Sequence, residues 1–278
     1  MFSEEASTEK LGVKNALDVI KYRAEFAREN PTYFDADGLI VYVGPQGSGK
    51  TLSAVKYVYN LMKLYPNAKL VTNLMLKDYP IVTLNEFIKE HYNLKTEKHF
   101  DELSDYSQYK IITDYLLLNR VFPFNNSDDL MRYSNDQEGI IYLIDEIQLY
   151  FNSLESKNIN MDVMTEISQQ RKQRKHIVCT SQVFGRLAKP LREQFNCVVS
   201  CKNYFKLLQI NSYMRQEDIT STDDMKLEGA TFKKSIFFHS PADYGRYDTY
   251  YKIEKNNFVS EEERVTEIYD KYTINRGE

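Results

Sequence analysis

The sequence predicts an α/β fold in which helices flank a central, mostly parallel β-sheet. Three observations support this fold class. Short apolar runs alternate with segments of helical periodicity along most of the chain. A glycine-rich turn, GPQGSGKT (44–51), joins the first apolar run to a helical segment. A later run, IIYLI (140–144), has no polar alternation, as expected for a strand that is buried on both faces.

Bulk composition indicates a globular protein. The chain has 278 residues, of which 42% are hydrophobic and 27% are charged, enough for one large domain with additions. Its formal charge of −4 gives no overall field that attracts nucleic acid, although a local basic stripe could still do so. No apolar run has membrane-spanning length and no signal peptide is recognisable, so we expect a cytoplasmic protein (host cytoplasm if viral) without a membrane span.

The cysteines are expected to be structural. Cys179, Cys197 and Cys201 lie in apolar, strand-like stretches and lack a second Cys/His pair at zinc-ligand spacing. Reduced thiols in the core are therefore the expectation.

Periodicity and turn residues assign the first half of the chain. Apolar residues at helical spacing predict a helix over 14–29, which Pro31 and the Asp37-Gly38 turn bring to an end. The next predicted elements are a buried strand, a helix, a second strand and a short helix, over 39–43, 51–64, 69–74 and 83–91. Residues 93–137 are polar and irregular apart from an apolar helical patch at 109–122, and we predict a helical insertion there.

The second half continues the alternation. The predicted elements are a central strand, a helix, a buried strand, a helix and three further strands, over 139–146, 160–175, 176–182, 186–195, 197–201, 204–213 and 232–240. We accordingly divide the chain into a helical extension (1–37), a core (38–215) and a small C-terminal β elaboration (216–278).

The turn at 44–51 fits the pattern G-x-x-x-x-G-K-[ST] and lies between a strand and a helix, which is the context that a P-loop requires. Glycines let consecutive N–H groups point at a phosphate, and the helix N-terminus adds positive potential. Lys50 can reach the β- and γ-phosphates, and the Thr51 hydroxyl can ligate Mg²⁺. The residues predicted to bind ATP are Gly44, Pro45, Gln46, Gly47, Ser48, Gly49, Lys50, Thr51 and Leu52. A glycine-rich turn without a ligand is the alternative.

Two carboxylates end the strand at 139–146. The carboxyl ends of parallel strands form the edge where open α/β sheets bind ligands. Asp145 is predicted to hold Mg²⁺ through water and Glu146 to act as general base toward the attacking water, as in a Walker-B element. An ordinary helix N-cap would produce the same residue pair.

The segment QQRKQRKHIVCTSQ (169–182) ends in polar residues that should lie beside the Walker-B strand. Gln182 is therefore a candidate sensor of the γ-phosphate or of the water. Upstream, Arg171, Lys172, Arg174 and Lys175 form a basic run with three interpretations: a solvated helix end, a contact to a nucleic-acid backbone, or an arginine finger that reaches a neighbouring subunit. We assign the finger to Arg171, with Arg174 as the reserve.

Four stretches together resemble the additional-strand P-loop ATPases of the HerA/FtsK class, and most of all the zonular-occludens-toxin-like (Zot) ATPases of phages and related mobile elements. They are GPQGSGKT, KLVTNLMLK with Thr72-Asn73, LIDEIQLYF, and QRKQRKHIVCTSQ. The resemblance covers about 38–201 and implies a ring-forming ATPase that moves nucleic acid or assembles phage particles. Filamentous-phage members carry a membrane-spanning segment that this chain lacks, which favours a viral genome-packaging type of motor.

The resemblance implies ATP and Mg²⁺ as cofactors and, as partners, further copies of the chain, DNA and a viral portal or other phage assembly protein. The leading expectation is a DNA translocase. The alternatives are a Zot-like assembly or secretion ATPase and a nucleotide-dependent assembly factor that does not translocate. A small-molecule kinase is disfavoured by the Asp-Glu pair and the downstream Ser-Gln strand end.

Overall fold

The computed structural model describes residues 13–31, 33–36, 38–92, 100, 102–154, 159–221 and 227–248. The described residues fall into two compact units, which divide between Tyr33 and Phe34. In the first unit, helix α1 (Val13–Glu29) confirms the helix predicted over 14–29. The Phe26 ring packs edge-on against Tyr33 in the turn that follows, with the ring centroids 4.9 Å apart.

The second unit is built on an eight-stranded sheet with the order β3-β2-β4-β5-β1-β6-β7-β8. In chain order, the strands are β1 Gly38–Val43, β2 Lys69–Thr72, β3 Val121–Pro123, β4 Ile140–Ile144, β5 Lys175–Ser181, β6 Cys197–Tyr204, β7 Leu208–Ser221 and β8 Glu228–Phe238. Along the sheet, all strand pairings from β3 at one edge through to β6 are parallel. β7 and β8 extend the sheet beyond β6 as an antiparallel ribbon. The predicted fold class is confirmed, including the additional strand: β5 lies between β1 and β4.

Helices cover both faces of this sheet. They are α2 Lys50–Leu64, α3 Leu84–Tyr92, α4 Asp105–Leu118, α5 Asp129–Arg132, α6 Met161–Ser168, α7 Lys189–Arg192 and α8 Pro241–Tyr244, with 3₁₀ turns at Ile147–Leu149 and Phe184–Arg186. None of the helices among the described residues combines the length and apolar character that crossing a bilayer would require.

Alternate residues of the buried strands pack against opposite layers. On one face Tyr42 and Ile141 belong to the cluster that contains α2, and on the other Tyr142 lies with residues of α3, α4 and α6. Every residue of β4 is fully buried, which explains its uninterrupted apolar sequence. The three cysteines are free, and burial raises the pKa of the Cys197 thiol to about 11 and of Cys201 to about 12.

The apolar patch at 109–122 is not one helix. Helix α4 ends at Leu118, and the Asn119 side chain turns the chain by donating to the carbonyl oxygens of Val82 and Val121. Val121 and Phe122 then enter the sheet as β3, the edge strand beside β2. The segment predicted as a helical insertion therefore supplies a strand of the central sheet.

The helix predicted over 160–175 is shorter, because α6 ends at Ser168 and residues 169–174 form turns before β5. The helix predicted over 186–195 is a 3₁₀ turn followed by α7, whose first turn contains Pro190.

The strand predicted over 204–213 begins later, because Phe205 and Lys206 form a tight turn with φ angles of 55° and 53°. β6 extends to Tyr204 before this turn, and β7 begins at Leu208 after it. β7 then continues across the boundary predicted at 215/216.

Candidate functional site

Parallel strand order brings three predicted segments to one edge of the sheet. The carboxyl ends of β1, β5 and β4 lie side by side, with Val43 paired to Ser181 and Ile144 paired to Cys179. The residues that follow these strands are the glycine-rich loop, Gln182, and the Asp145-Glu146 pair. The topology thus assembles the predicted site from separate stretches: Thr51 and Asp145 are 94 positions apart in sequence, and Glu146 and Gln182 are 36 apart.

The glycines of the loop are required by its conformation. Gly47 and Gly49 have φ angles of 79° and 80°, in the left-handed region that favours glycine. A Cβ on Gly49 would lie 2.0 Å from Gln209 Oε1. From the β6–β7 side, Gln209 Nε2 donates to Ser48 O at 3.0 Å and Asn203 Nδ2 donates to Gly47 O at 3.4 Å. These bonds restrain two carbonyl oxygens, the groups that would repel a bound phosphate.

The two polar residues that open α2 both contact the predicted Walker-B carboxylates. Lys50 Nζ lies 2.9 Å from Glu146 Oε1, and Thr51 Oγ1 donates to Asp145 Oδ1 at 2.9 Å. The Leu52 side chain is buried in the core, so a contact from Leu52 to a ligand would come from its backbone N–H. Lys50, Thr51, Asp145 and Glu146 therefore form one contact cluster at the helix N-terminus.

Asp145 is fixed by four hydrogen bonds with three residues, Thr51, Thr180 and Asn73. Thr180 Oγ1 donates to the same Oδ1 as Thr51, at 2.7 Å. The Asn73 side chain bonds both backbone groups of Asp145, donating to its carbonyl at 2.8 Å and accepting from its N–H at 2.7 Å. Burial raises the pKa of Asp145, and the hydrogen bonds from Thr180 and Thr51 oppose this shift by stabilising the ionised form.

The Thr51–Asp145 pair suits Mg²⁺, because hydroxyl and carboxylate oxygens are its preferred ligands. The described part of the chain contains no cluster of three or more His, Cys, Asp or Glu side chains that could hold a metal. Mg²⁺ usually takes few protein ligands and keeps water and substrate phosphates in its other positions, so Thr51 as a ligand, with Asp145 acting through water, would suffice.

Glu146 adopts a strained backbone conformation, with φ 52° and ψ 54°. Such a residue costs on the order of 1–3 kcal/mol unless its surroundings fix it. Its N–H donates to Thr180 Oγ1 at 2.9 Å, and its carboxylate accepts hydrogen bonds from Gln148 Nε2 and, at 3.4 Å, from Gln182 Nε2. Glu146 precedes a 3₁₀ turn, but its side chain makes no capping bond. The N-cap interpretation therefore does not account for its carboxylate.

Arg171 is not brought to this cluster. The turn that contains it lies at the opposite edge of the sheet, where Ile140 N–H donates to Arg174 O and Gly38 N–H donates to Gln170 Oε1. The seven residues of β5 separate the two edges by about 20 Å. The helix end expected at this basic run is instead a series of turns.

Sequence reasoning did not include Asn73, Thr180 or Gln209 among the site residues, although all three are buried polar side chains at the cluster or the loop. The available signal was weak: Asn73 and Thr180 are polar residues at the carboxyl ends of apolar strands. Gln209 gives no sequence signal, because its partner Ser48 is 161 positions away.

Three features define the P-loop NTPase fold. They are a parallel sheet with an additional strand, a glycine-rich loop between β1 and a helix, and an Asp-Glu pair at the end of β4, which lies two strands from β1 in the sheet. Within that class, the family model described as zonular occludens toxin (Zot) matches residues 39–238, well over half of the chain. The chain therefore belongs to the Zot family, as its motifs predicted.

Several solved structures resemble the chain at low identity. The N-terminal domain of zonular occludens toxin from Neisseria meningitidis is 19% identical, with 77% of this chain and 100% of that chain covered and a TM-score of 0.45. The genome packaging NTPase B204 from Sulfolobus turreted icosahedral virus 2, in complex with ATP-gammaS, is 13% identical, with 59% and 74% covered and a TM-score of 0.39. No curated protein matches this sequence.

Proposed function

We propose that this protein is an ATPase that binds ATP·Mg²⁺ at residues 44–52 and hydrolyses it with Glu146 as general base. The observation that carries the proposal is the Lys50–Glu146 ion pair at 2.9 Å beside the Thr51–Asp145 hydrogen bond. In this arrangement Lys50, the cation of the loop, contacts the predicted base Glu146. The Thr51 hydroxyl contacts Asp145, the carboxylate predicted to bind the metal.

The ion pair suggests how binding and chemistry are linked. Lys50 exchanges Glu146 for the β- and γ-phosphates when nucleotide binds, so the carboxylate becomes available to accept a proton from water. Gln182, whose amide is 3.4 Å from Glu146 Oε1, orients that water. Thr51 and Asp145 would hold Mg²⁺, which supplies positive charge against the developing phosphate charge.

Nucleotide binding by Lys50→Ala and Lys50→Arg variants tests the site. Lys50→Ala removes the mobile cation of the loop and is expected to abolish tight ATP binding, whereas Lys50→Arg keeps the charge and should retain part of it. Equal ATP affinity in the wild type and Lys50→Ala, measured by calorimetry, would contradict the assignment.

For the biological role, we propose a nucleic-acid translocase of a phage or mobile element, of the viral genome-packaging type. Membership of the Zot family and the Thr-Ser-Gln end of β5 support this role. A Zot-like assembly or secretion ATPase and a non-translocating assembly factor are the other candidates. A translocase should show ATP turnover that rises several-fold with DNA, whereas an assembly factor should be insensitive to it.

The translocase proposal includes a homo-oligomeric ring in which Arg171 acts on the ATP of the next subunit. The position of Arg171, about 20 Å from its own loop, supports an action in trans because no side chain spans that distance. The assembled mass, measured with DNA and a nonhydrolysable nucleotide, tests the ring. A protein that stays monomeric under these conditions, with turnover independent of its concentration, would contradict it.

A further inference from the structure

A cleft of about 890 Å³ adjoins the phosphate loop on the side of β6. Its lining includes Gln182, which follows β5, and Tyr204, which ends β6, and β1 lies between these two strands in the sheet. The loop residues 44–48, which follow β1, also line the cleft. The cleft has the size expected of a small-molecule site, and it is larger than a chain of phosphates alone requires.

Tyr204 lies at the end of β6, next to the phosphate loop at 44–48. The loop runs alongside the end of β6, since a Cβ on Gly44 would meet Cys201 O at 2.9 Å and Gly47 O accepts from Asn203 Nδ2. Tyr204 follows Asn203 as the last residue of β6. Its side chain lines the cleft and is 44% exposed.

The backbone at Tyr204 is well fixed. Tyr204 pairs with Leu208 in the antiparallel ribbon, and its carbonyl accepts from Leu207 N–H at 3.0 Å across the tight turn. Beneath the loop, Gln209 bonds both Ser48 O and Asn211 Oδ1, so the ribbon and the loop are held together. A ring on this ribbon therefore keeps a defined position relative to the phosphate loop.

The polarity of the site sets the direction of a bound nucleotide. Gln182, which contacts Glu146, follows β5 on one side of the loop and marks the γ-phosphate end, so the nucleoside would extend toward β6 and Tyr204 on the other side. We propose, resting on the ATPase function above, that the nucleobase stacks on the ring of Tyr204. In this proposal Tyr204 binds the nucleoside and takes no part in the chemistry.

Stacking on an aromatic ring tolerates different bases, because every base has a π-face. Losing one such platform is expected to weaken binding about 5- to 150-fold. The effect should be confined to ligands that carry a base, which separates stacking from support of the loop. The adjacent Phe205 provides a matched control, because it is 96% exposed on the same turn and does not line the cleft.

The test compares dissociation constants for ATP and for inorganic tripolyphosphate, each with Mg²⁺, in the wild type, Tyr204→Ala, Tyr204→Phe and Phe205→Ala. We expect Tyr204→Ala to weaken ATP binding about 5- to 150-fold and to leave tripolyphosphate binding within twofold. Tyr204→Phe and Phe205→Ala should both match the wild type.

Three results would overturn the proposal: an unchanged ratio of ATP to tripolyphosphate affinity in Tyr204→Ala, equal weakening of both ligands, or equal effects of Tyr204→Ala and Phe205→Ala. A failure of the ATPase function looks different. In that case the wild type binds neither ligand at the loop, or Lys50→Ala leaves both affinities unchanged. Either result would also reject the proposed base-binding site.

Discussion

Thr180 connects the two candidate catalytic carboxylates, and replacing it tests whether this connection matters. Its hydroxyl donates to Asp145 Oδ1 at 2.7 Å and accepts the Glu146 N–H at 2.9 Å. The residue is fully buried at the end of β5. Thr180→Val keeps the shape of the side chain and removes only the hydroxyl, so both partners lose a hydrogen bond without a new cavity.

The expected cost follows from these two bonds. A hydrogen bond to a charged group contributes about 1.5–3 kcal/mol, and a buried N–H without an acceptor costs about 1–3 kcal/mol. Because the bonds share one oxygen and Thr51 still donates to Asp145, we expect a combined loss of about 2–4 kcal/mol in the free energy of unfolding. Glu146 also loses a bond that fixes its strained backbone, and displacement of a catalytic group by about 1 Å costs about 10²-fold in rate.

Urea denaturation and single-turnover ATP hydrolysis measure the two effects. Thr180→Ser is the control, because it retains the hydroxyl and loses one buried methyl group, worth about 1 kcal/mol. A Thr180→Val protein with wild-type stability and turnover would refute the reasoning. Equal losses in the Val and Ser variants would show that packing, not hydrogen bonding, determines the result.

Three further predictions concern the base, the subunit contact and pH. Glu146→Gln should bind ATP normally and hydrolyse it about 10²–10⁴-fold more slowly, as measured by binding and turnover assays on the same preparation. Arg171→Ala should bind ATP without hydrolysing it, and Lys50→Ala subunits mixed with it should restore turnover; no rescue, with wild-type turnover still dependent on concentration, would reject Arg171 as the finger. Burial lowers the pKa of His239 below 6.5, against the opposing effect of Asp243, so the unfolded chain binds the proton more tightly. Stability should therefore rise with pH from the folded-state pKa up to 6.5, and His239→Gln should reduce this slope in denaturation curves.

Local sequence was sufficient for the parts of the site that are contiguous. The loop at 44–51 is specified by glycines at fixed spacing, and its flanking strand and helix are adjacent in the chain. The Asp145-Glu146 pair follows a fully apolar run, which by itself indicates a buried parallel strand. These features need no knowledge of other segments, and the fold confirms the strand and helix that flank the loop.

Site residues whose contact partners are distant in the sequence could not be identified from local sequence patterns. Asn73 contacts Asp145 across 72 positions, and Gln209 contacts Ser48 across 161. A polar residue in or next to a strand pattern is usually interpreted as facing solvent, and only the tertiary contacts show that Asn73 lies beside Asp145 and Gln209 beside the loop. β3 was missed for a related reason: Val121 and Phe122 continue the apolar periodicity of α4, and Asn119 ends the helix through a tertiary contact to Val82 O.

The basic run at 171–175 shows that neighbouring residues of one charge can have separate roles. Lys175 is buried as the first residue of β5, where its ammonium donates to Leu130 O at 2.7 Å and pairs with Glu166. Because its side chain is buried, which also lowers its pKa, this lysine is part of the core and is not a surface contact for nucleic acid. Arg171 is exposed in the preceding turns, at the sheet edge opposite the loop. A dependence of hydrolysis on Arg171 would therefore require a second copy of the chain, which is why the subunit-mixing experiment discriminates between a finger and a solvated surface charge.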